Sequence, residues 1–227
     1  MTEQLDLEDH LASRYGIARD PNVLPSSSPF SGLPRHGFSI IAADCPWTFL
    51  TRSAKGKGRS AEQHYACMTL DDIRQLPVAT LAAKDCMLFF WVTDPFLKIG
   101  LDVIEAWGFR YATVGFTWVK VNRSAGFFGF APADFFTGMG YYTRANPEQC
   151  LLATRGAPKR IAKDVRQLVV APRREHSRKP DEAYDRMKQL CGDVPAIELF
   201  ARQERENWTA WGNEVNRFPS EAAEEDV

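Results

Sequence analysis

The sequence has little that could hold a fold together other than its own core. Its five cysteines, at positions 45, 67, 86, 150 and 191, are odd in number and widely scattered. They suit neither a disulfide framework nor a C-x-x-C zinc pair. The four histidines, at 10, 36, 64 and 176, have no ligand spacing and no acidic companion four residues on, which argues against a metal site. No apolar run is long enough to cross a bilayer, and the N-terminus is acidic where a signal peptide is basic and apolar. The expectation is a reduced, cytoplasmic protein. Net charge is also scarce, at -1 with a pI near 6.4, so any nucleic-acid contact has to come from a local basic surface. There is no internal repeat.

What is present is apolar and aromatic material. With 227 residues, 44% hydrophobic and 12% aromatic, the chain can bury the core of one α/β domain but leaves no room for a second large one. The run Phe38 to Ala43 is short, unbroken and β-compatible, the pattern of a strand covered on both faces. It ends abruptly in Asp44-Cys45-Pro46-Trp47. Ligands of such sheets gather at the carboxyl ends of the strands. A carboxylate beside an indole there suits a planar base carrying an amino group, which the acid accepts from and the ring stacks on. For these residues alone, a capped strand end with Trp47 in the core explains as much.

Downstream, Thr51 to Ser60 spaces the basic residues Arg52, Lys55, Lys57 and Arg59 with small ones. It lacks the G-x-x-x-x-G-K-[ST] spacing of a P-loop, and reads equally as a solvated loop or a lid on a nucleic-acid backbone. Thr69 followed by Asp72 predicts a helix start, with the helix running towards Leu81. Met87 to Val92 is a second buried strand. Thr93-Asp94-Pro95 then predicts a cap and a helix to Trp107, with Gly108 as its stop and Phe96, Ile99, Val103, Ile104 and Trp107 on one face. Val114 to Val121 and Gln149 to Thr154 are further strands. They bracket the Gly- and aromatic-rich loop 122–147, too long for a mere connection and suited to a lid, an interface or core packing. Leu168-Val169-Val170 is a short strand, Pro180 opens a helix ended by Gly192, and Ala196 to Ala201 is the last strand. Strand and helix alternate as in a largely parallel, doubly wound sheet. Residues 1–35, with a short helix over Leu5 to Tyr15 and a Pro/Ser-rich stretch, form an extension, residues 36–218 the domain, and residues 219–227 an acidic tail.

Two further groups carry chemistry. Lys179, just ahead of a helix, is placed to hold a carboxylate with the free backbone donors, or is simply a surface lysine at a capped helix. Glu198, Arg202, Asn213 and Glu214 gather after the last strand, where they suit ribose hydroxyls and an adenine ring, or form a surface ion-pair set with Trp208 and Trp211 as core. Cys45 near a histidine would suit a thiol hydrolase only if the two met in space.

Taken together, these segments resemble the MT-A family of adenine amino-methyltransferases over Phe38 to Phe218. Asp44-Cys45-Pro46-Trp47 stands where the family carries Asp-Pro-Pro-Trp. His64-Tyr65-Ala66-Cys67-Met68-Thr69, Phe89-Phe90-Trp91-Val92-Thr93, Trp107-Gly108-Phe109, Trp118-Val119-Lys120-Val121-Asn122, Gly138 to Leu151, Lys179-Pro180-Asp181-Glu182, Ile197 to Arg202 and Asn207 to Glu214 follow in the family's order. The resemblance implies a Rossmann-like S-adenosylmethionine-dependent methyltransferase fold, permuted so that the catalytic motif precedes the main cofactor strand. It also implies transfer of a methyl group to the N6 amine of adenine in nucleic acid, DNA ahead of RNA. By that resemblance Asp44, Cys45 (through its carbonyl), Pro46, Trp47 and Tyr65 are catalytic. Asp44, Lys179, Glu198, Phe200, Arg202, Asn213 and Glu214 hold the cofactor, Lys179 at its methionine carboxylate. Trp47, Tyr65, Lys55, Lys57, Arg59, Arg144 and Glu148 meet the nucleic acid, and a homo- or heterodimer is expected. The chain departs from the family at Cys45 and at Glu214, where the messenger-RNA enzyme commonly has glutamine. The alternatives are a catalytically silent nucleic-acid-binding subunit, whose branch loses the acid and ring that this chain retains, and an RNA or nucleotide methyltransferase.

Overall fold

The computed structural model describes residues 20–47, 68–123, 131–175 and 178–218. In chain order the elements are β1 (Phe38–Ala43), α1 (Leu70–Gln75), β2 (Ala82–Val92), α2 (Leu97–Ala106), β3 (Arg110–Val121), β4 (Glu148–Arg155), β5 (Leu168–Pro172), α3 (Asp181–Cys191), β6 (Ala196–Leu199) and β7 (Thr209–Trp211). The seven strands form one sheet in the order β5-β3-β4-β2-β1-β6-β7. β1 lies inside it, parallel to β2 on one side and to β6 on the other.

Strand alternation explains why β1 carries no polar face. Ile41 and Ala43 point into the core layer shared with Ile73 of α1 and Val103 and Ile104 of α2. Ile40 and Ala42 point the other way, into the layer with Ala183, Tyr184 and Met187 of α3. The sheet is thus helix-covered on both faces, as the strand–helix alternation predicts. The pairings of β1 with β2 and β6, of β3 with β5 and of β6 with β7 are parallel, whereas β4 runs antiparallel to both β2 and β3. This reversal follows from chain order: β3 returns directly as β4 after the loop 122–147, without a crossover helix.

Several boundaries move for identifiable reasons. α1 stops at Gln75, not near Leu81, because Leu76 precedes Pro77 and is held at ψ 126. The chain continues as a 3-10 turn over Val78–Thr80. The Thr69 cap is present, its hydroxyl accepting from the Asp72 backbone at 3.1 Å. Pro95 sits in a 3-10 turn leading into α2, and Thr93 makes no capping bond. Pro180 is the residue before α3, not its first residue. The helix face expected for α2 packs as read, and the Trp107 indole donates to the Ile73 carbonyl at 2.8 Å, tying α2 to α1. β7 is a strand the sequence pattern did not disclose.

The part of the N-terminal extension within the described residues wraps the core. Phe30 is fully buried and meets Trp211 edge-on at 4.8 Å, and the Trp211 indole donates to the Pro29 carbonyl at 3.0 Å. The helix expected over Leu5 to Tyr15 and the acidic tail lie outside the described residues. Gly212 shows how closely the end of β7 approaches the turn after β6: a Cβ there would lie 2.8 Å and 2.9 Å from the Ala201 backbone O and N. Backbone atoms cannot swing aside. We therefore expect Gly212→Ala to lose about 1–3 kcal/mol of stability, read by chemical denaturation. Retention of wild-type stability would mean that the turn yields freely.

Candidate active site

At the carboxyl end of β1 the chain leaves the sheet through Asp44, whose carboxylate is one-fifth exposed. Its Oδ2 accepts from the Lys179 ammonium at 2.7 Å. Lys179 enters from the segment ahead of α3, is 4% exposed, and also meets Glu148 Oε1 at 2.8 Å. Glu148 opens β4, and its other oxygen accepts from Lys120 of β3 at 2.8 Å. The result is a chain of alternating charge, Asp44–Lys179–Glu148–Lys120, spanning the carboxyl ends of β1 and β3 and the start of the antiparallel β4. The Trp91 ring of β2 lies 5.5 Å from the Lys179 ammonium.

Electrostatics within the chain follow from burial. Burial alone would push the Glu148 carboxyl up, but Lys179 and Lys120 outweigh it and hold it at about 2. Burial would likewise lower Lys179, and its contacts with Asp44 and Glu148 overcome that and raise it. Such a network is costly to break, since losing one member leaves an unpaired buried charge.

A second network lies on the β6 side. Glu198 accepts from the Tyr184 hydroxyl at 2.5 Å and has Arg205 at 3.4 Å. Arg205 also reaches Asp181 at 2.5 Å and stacks over the Tyr184 ring at 3.9 Å. Burial raises the Glu198 carboxyl, against the lowering effect of Arg205 and the Tyr184 hydroxyl. Burial first, and Glu198 second, push the Tyr184 hydroxyl well up.

Between the two networks is a narrow cleft of about 20 Å³, lined by Asp44, Lys179, Glu198, Phe200, Arg202, Gln203 and Phe218 among others. Five of the residues expected around a cofactor, Asp44, Lys179, Glu198, Phe200 and Arg202, therefore meet in one place. Phe200 is held at φ 61 in the turn that ends β6. An aromatic residue is strained there, by about 1–3 kcal/mol, and such strain clusters at ligand sites.

Other expectations come out differently. Lys179 is already shared by two carboxylates, so a cofactor carboxylate would be its third anion. Glu148, expected at the nucleic acid, is buried and engaged by two lysines. Glu214 lies 3.9 Å from Arg202 and pairs with Arg217, while Asn213 is exposed and does not line the cleft. Arg144 is exposed on the loop before β4. Trp47 is 4% exposed, stacked on Phe96 at 5.3 Å and edge-on to Phe90. Pro46 accepts from the Met68 backbone at 3.0 Å, and the Cys45 carbonyl from the Trp47 backbone at 2.9 Å. The Cys45 thiol is buried, and burial and then Asp44 push it well up, which makes it a poor nucleophile. Tyr65, Lys55, Lys57, Arg59, His64 and His176, with Phe127, Phe128 and Phe130 of the long loop, lie outside the described residues.

Sequence reasoning missed Lys120, Tyr184, Gln203, Arg205 and Phe218. Two left a signal: Tyr184 falls at helical spacing with Met187 and Leu190 on the inner face of α3, and Lys120 alternates with Trp118 on an inward strand face, its ammonium 4.8 Å over that ring. Among the described residues no group of three His, Cys, Asp or Glu side chains could hold a metal, and no helix is long and apolar enough to cross a membrane.

Comparison with known proteins agrees with the geometry. The MT-A70 family profile matches residues 38–214. The type II methyltransferase M.MunI of Mycoplasma sp is 31% identical over 214 residues, covering 87% of this chain and 86% of that protein. An N(6)-adenosine-methyltransferase MT-A70-like protein of Arabidopsis thaliana is 30% identical over 79% of this chain, and the human N(6)-adenosine-methyltransferase catalytic subunit METTL3 is 28% identical over 79%. The chain spans only 24% and 28% of those two longer proteins.

The buried carboxylate carries a pH signature. Because Glu148 is held at about 2 against an ordinary 4.5, it stabilises the fold above pH 4.5, and that contribution is lost as pH falls towards 2. Denaturation measured across this window should show Glu148→Gln losing less stability than wild type on acidification. Parallel acid limbs would refute the ion network.

Proposed function

Because the chain belongs to the MT-A70 family of adenine-N6 methyltransferases, we propose that it methylates the N6 amine of adenine in nucleic acid, DNA ahead of RNA, with S-adenosylmethionine as donor. The observation that carries this reading is Asp44: a carboxylate at the end of a central parallel strand, one oxygen fixed by a buried lysine, facing a cleft. The order DNA before RNA follows the type II methyltransferase, which is 31% identical over 87% of this chain, against 30% and 28% over 79% for the two N(6)-adenosine-methyltransferases.

The chemistry of the lining residues fits the donor, and the cleft has to open to admit it. Arg202, Glu198 and Gln203 offer donors and acceptors for a nucleoside, and Phe200 and Phe218 offer rings beside it. Lys179, which lines the cleft, would meet an amino-acid carboxylate as its third anionic partner. Asn213 and Glu214 would join from the rim, Glu214 through Arg202. S-adenosylmethionine, when bound, supplies an electrophilic methyl group.

The rest is done by the chain. An aromatic amine is a weak nucleophile because its lone pair is delocalised into the ring, so its N–H groups must be drawn into acceptors and its nitrogen aligned. In this reading Asp44 is one acceptor and the Cys45 carbonyl the other, beside its existing bond to the Trp47 backbone. Lys179 fixes the Asp44 carboxylate so that the alignment is set before substrate arrives. Orientation of this kind lowers a barrier by roughly 7–11 kcal/mol. The surplus proton leaves to Asp44 or solvent.

Trp47, backed by Phe96, is the platform for the target adenine, which requires its other face to open as the base enters. Flipping a base from a duplex costs a few kcal/mol, of which stacking returns about 1–3 kcal/mol. Tyr65, Lys55, Lys57, Arg59 and Arg144 belong to the base pocket and backbone contacts in this proposal. The exposed Met139, Tyr141 and Tyr142 are where nucleic acid or a second subunit would dock. A permuted strand order and a cytoplasmic setting complete the reading, the latter in keeping with four buried free thiols among the described residues.

Transfer of a labelled methyl group to DNA, RNA and mononucleotides separates the substrate classes. We expect DNA to be methylated at adenine N6. Labelling of RNA or nucleotides alone would overturn the order proposed. Asp44→Ala should bind S-adenosylhomocysteine yet lose at least 100-fold in transfer rate, and wild-type transfer by that variant would refute the mechanism. Cys45→Pro should stay active, and iodoacetamide should leave transfer unchanged.

A further inference from the structure

One lining residue of the cleft keeps both polar atoms of its side chain unpaired within the protein. Gln203 is 2% exposed, and neither its amide nitrogen nor its amide oxygen has a hydrogen-bond partner within the protein. Buried primary amides are almost always paired, because each unmet donor or acceptor forfeits the hydrogen bonds it made in water. An amide that stays buried and unpaired in a cleft marks a place where a ligand supplies the partners.

The chemistry of the ligand follows from the group and its surroundings. A primary amide presents a donor and an acceptor side by side in one plane. It does not suit a carboxylate or phosphate, which would pair with the nitrogen and repel the oxygen. It matches the edge of adenine, where an amino donor adjoins a ring-nitrogen acceptor, the pairing by which glutamine and asparagine recognise that base. The neighbourhood agrees. Phe200 and Phe218 line the same cleft, and the Arg178 guanidinium lies 5.6 Å over the Phe218 ring. The Phe218 backbone donates to the Arg202 carbonyl at 3.0 Å, which pins that ring next to the segment carrying Gln203. Flat aromatic neighbours suit a base more than a sugar.

Position decides which adenine. Gln203 lies in the link between β6 and β7, on the side of Glu198 and Arg202, whereas the acceptor for the target amine, Asp44, ends β1. We infer that Gln203 reads the adenine edge of the methyl donor, as a specificity residue for the cofactor's base and not for the nucleic acid. The inference rests on the proposed use of S-adenosylmethionine.

Calorimetric binding of S-adenosylhomocysteine, without nucleic acid, tests it on wild type, Gln203→Leu and the unbranched Gln203→Met. The ligand is compared with its inosine counterpart, which replaces the amino donor by an oxygen, and with its 2′-deoxy counterpart. Wild type should prefer the adenine form to the inosine form at least tenfold. Both variants should bind the adenine form at least tenfold more weakly, lose most of that preference, and keep the wild-type penalty for the 2′-deoxy form. Without ligand they should melt no lower than wild type, since an unpaired amide has been removed. Undiminished binding, a preserved adenine preference, a lost 2′-deoxy penalty or a lower ligand-free melting temperature would overturn the assignment. Failure of wild type itself to bind S-adenosylhomocysteine would instead overturn the cofactor reading beneath it.

Discussion

The arrangement of the site depends on one buried ammonium. Lys179 sits between Asp44 and Glu148, at 2.7 Å and 2.8 Å, and each of these three residues comes from a different part of the chain. Asp44 ends β1, Glu148 begins the antiparallel β4, and Lys179 precedes α3. An isolated charge in that position would cost several kcal/mol, so the three segments are obliged to meet if any one is buried. The sheet therefore does more than present an acid at its edge. It brings a cation to that acid and a second anion to the cation, and Lys120 closes the series.

This constraint also divides the cleft. On the β1 side the charges neutralise one another and leave Asp44 partly exposed. On the β6 side, Glu198, Tyr184, Arg205 and Asp181 form a separate set. Between the two lie the strained Phe200, the ring of Phe218 and the unpaired amide of Gln203. In the proposed reading, the fixed charges at Asp44 would orient the reacting amine, while the neutral polar and aromatic groups between the two sets would select the donor. A methyl transferase needs that separation, because donor and acceptor must be held by different walls with their reacting atoms in line.

Much of this was legible in the sequence, and what was not has physical causes. β1 could be read to the residue because burial on both faces leaves an unbroken apolar run with polar residues at its end. The inner face of α2 was legible because 3.6-residue periodicity survives wherever a helix packs on a sheet. Lys179 could be picked out as functional, but periodicity says only which way a side chain faces and not what it will meet. Its partners Asp44 and Glu148 are 135 and 31 residues distant in sequence, reckoned from the positions themselves. Glu148 was accordingly expected at the nucleic acid. β7 is not legible because three residues are too few to show alternation, and α1 ends earlier than its cap and apolar spacing suggest because Pro77 bars Leu76 from the helical region. Gln203 left no trace at all: an unpaired amide is visible only once its surroundings are known.

The most direct measurement of the account is the methyl-transfer rate of the double variant Lys179→Met/Glu148→Gln. It removes one positive and one negative charge from the interior, so the protein is spared an unpaired buried carboxylate at Glu148, yet Asp44 loses the group that fixes it. If Lys179 positions the acceptor carboxylate, the double variant should fold, shown by its circular dichroism and melting, and transfer methyl groups at least 100-fold more slowly than wild type. A folded double variant with wild-type transfer would contradict it.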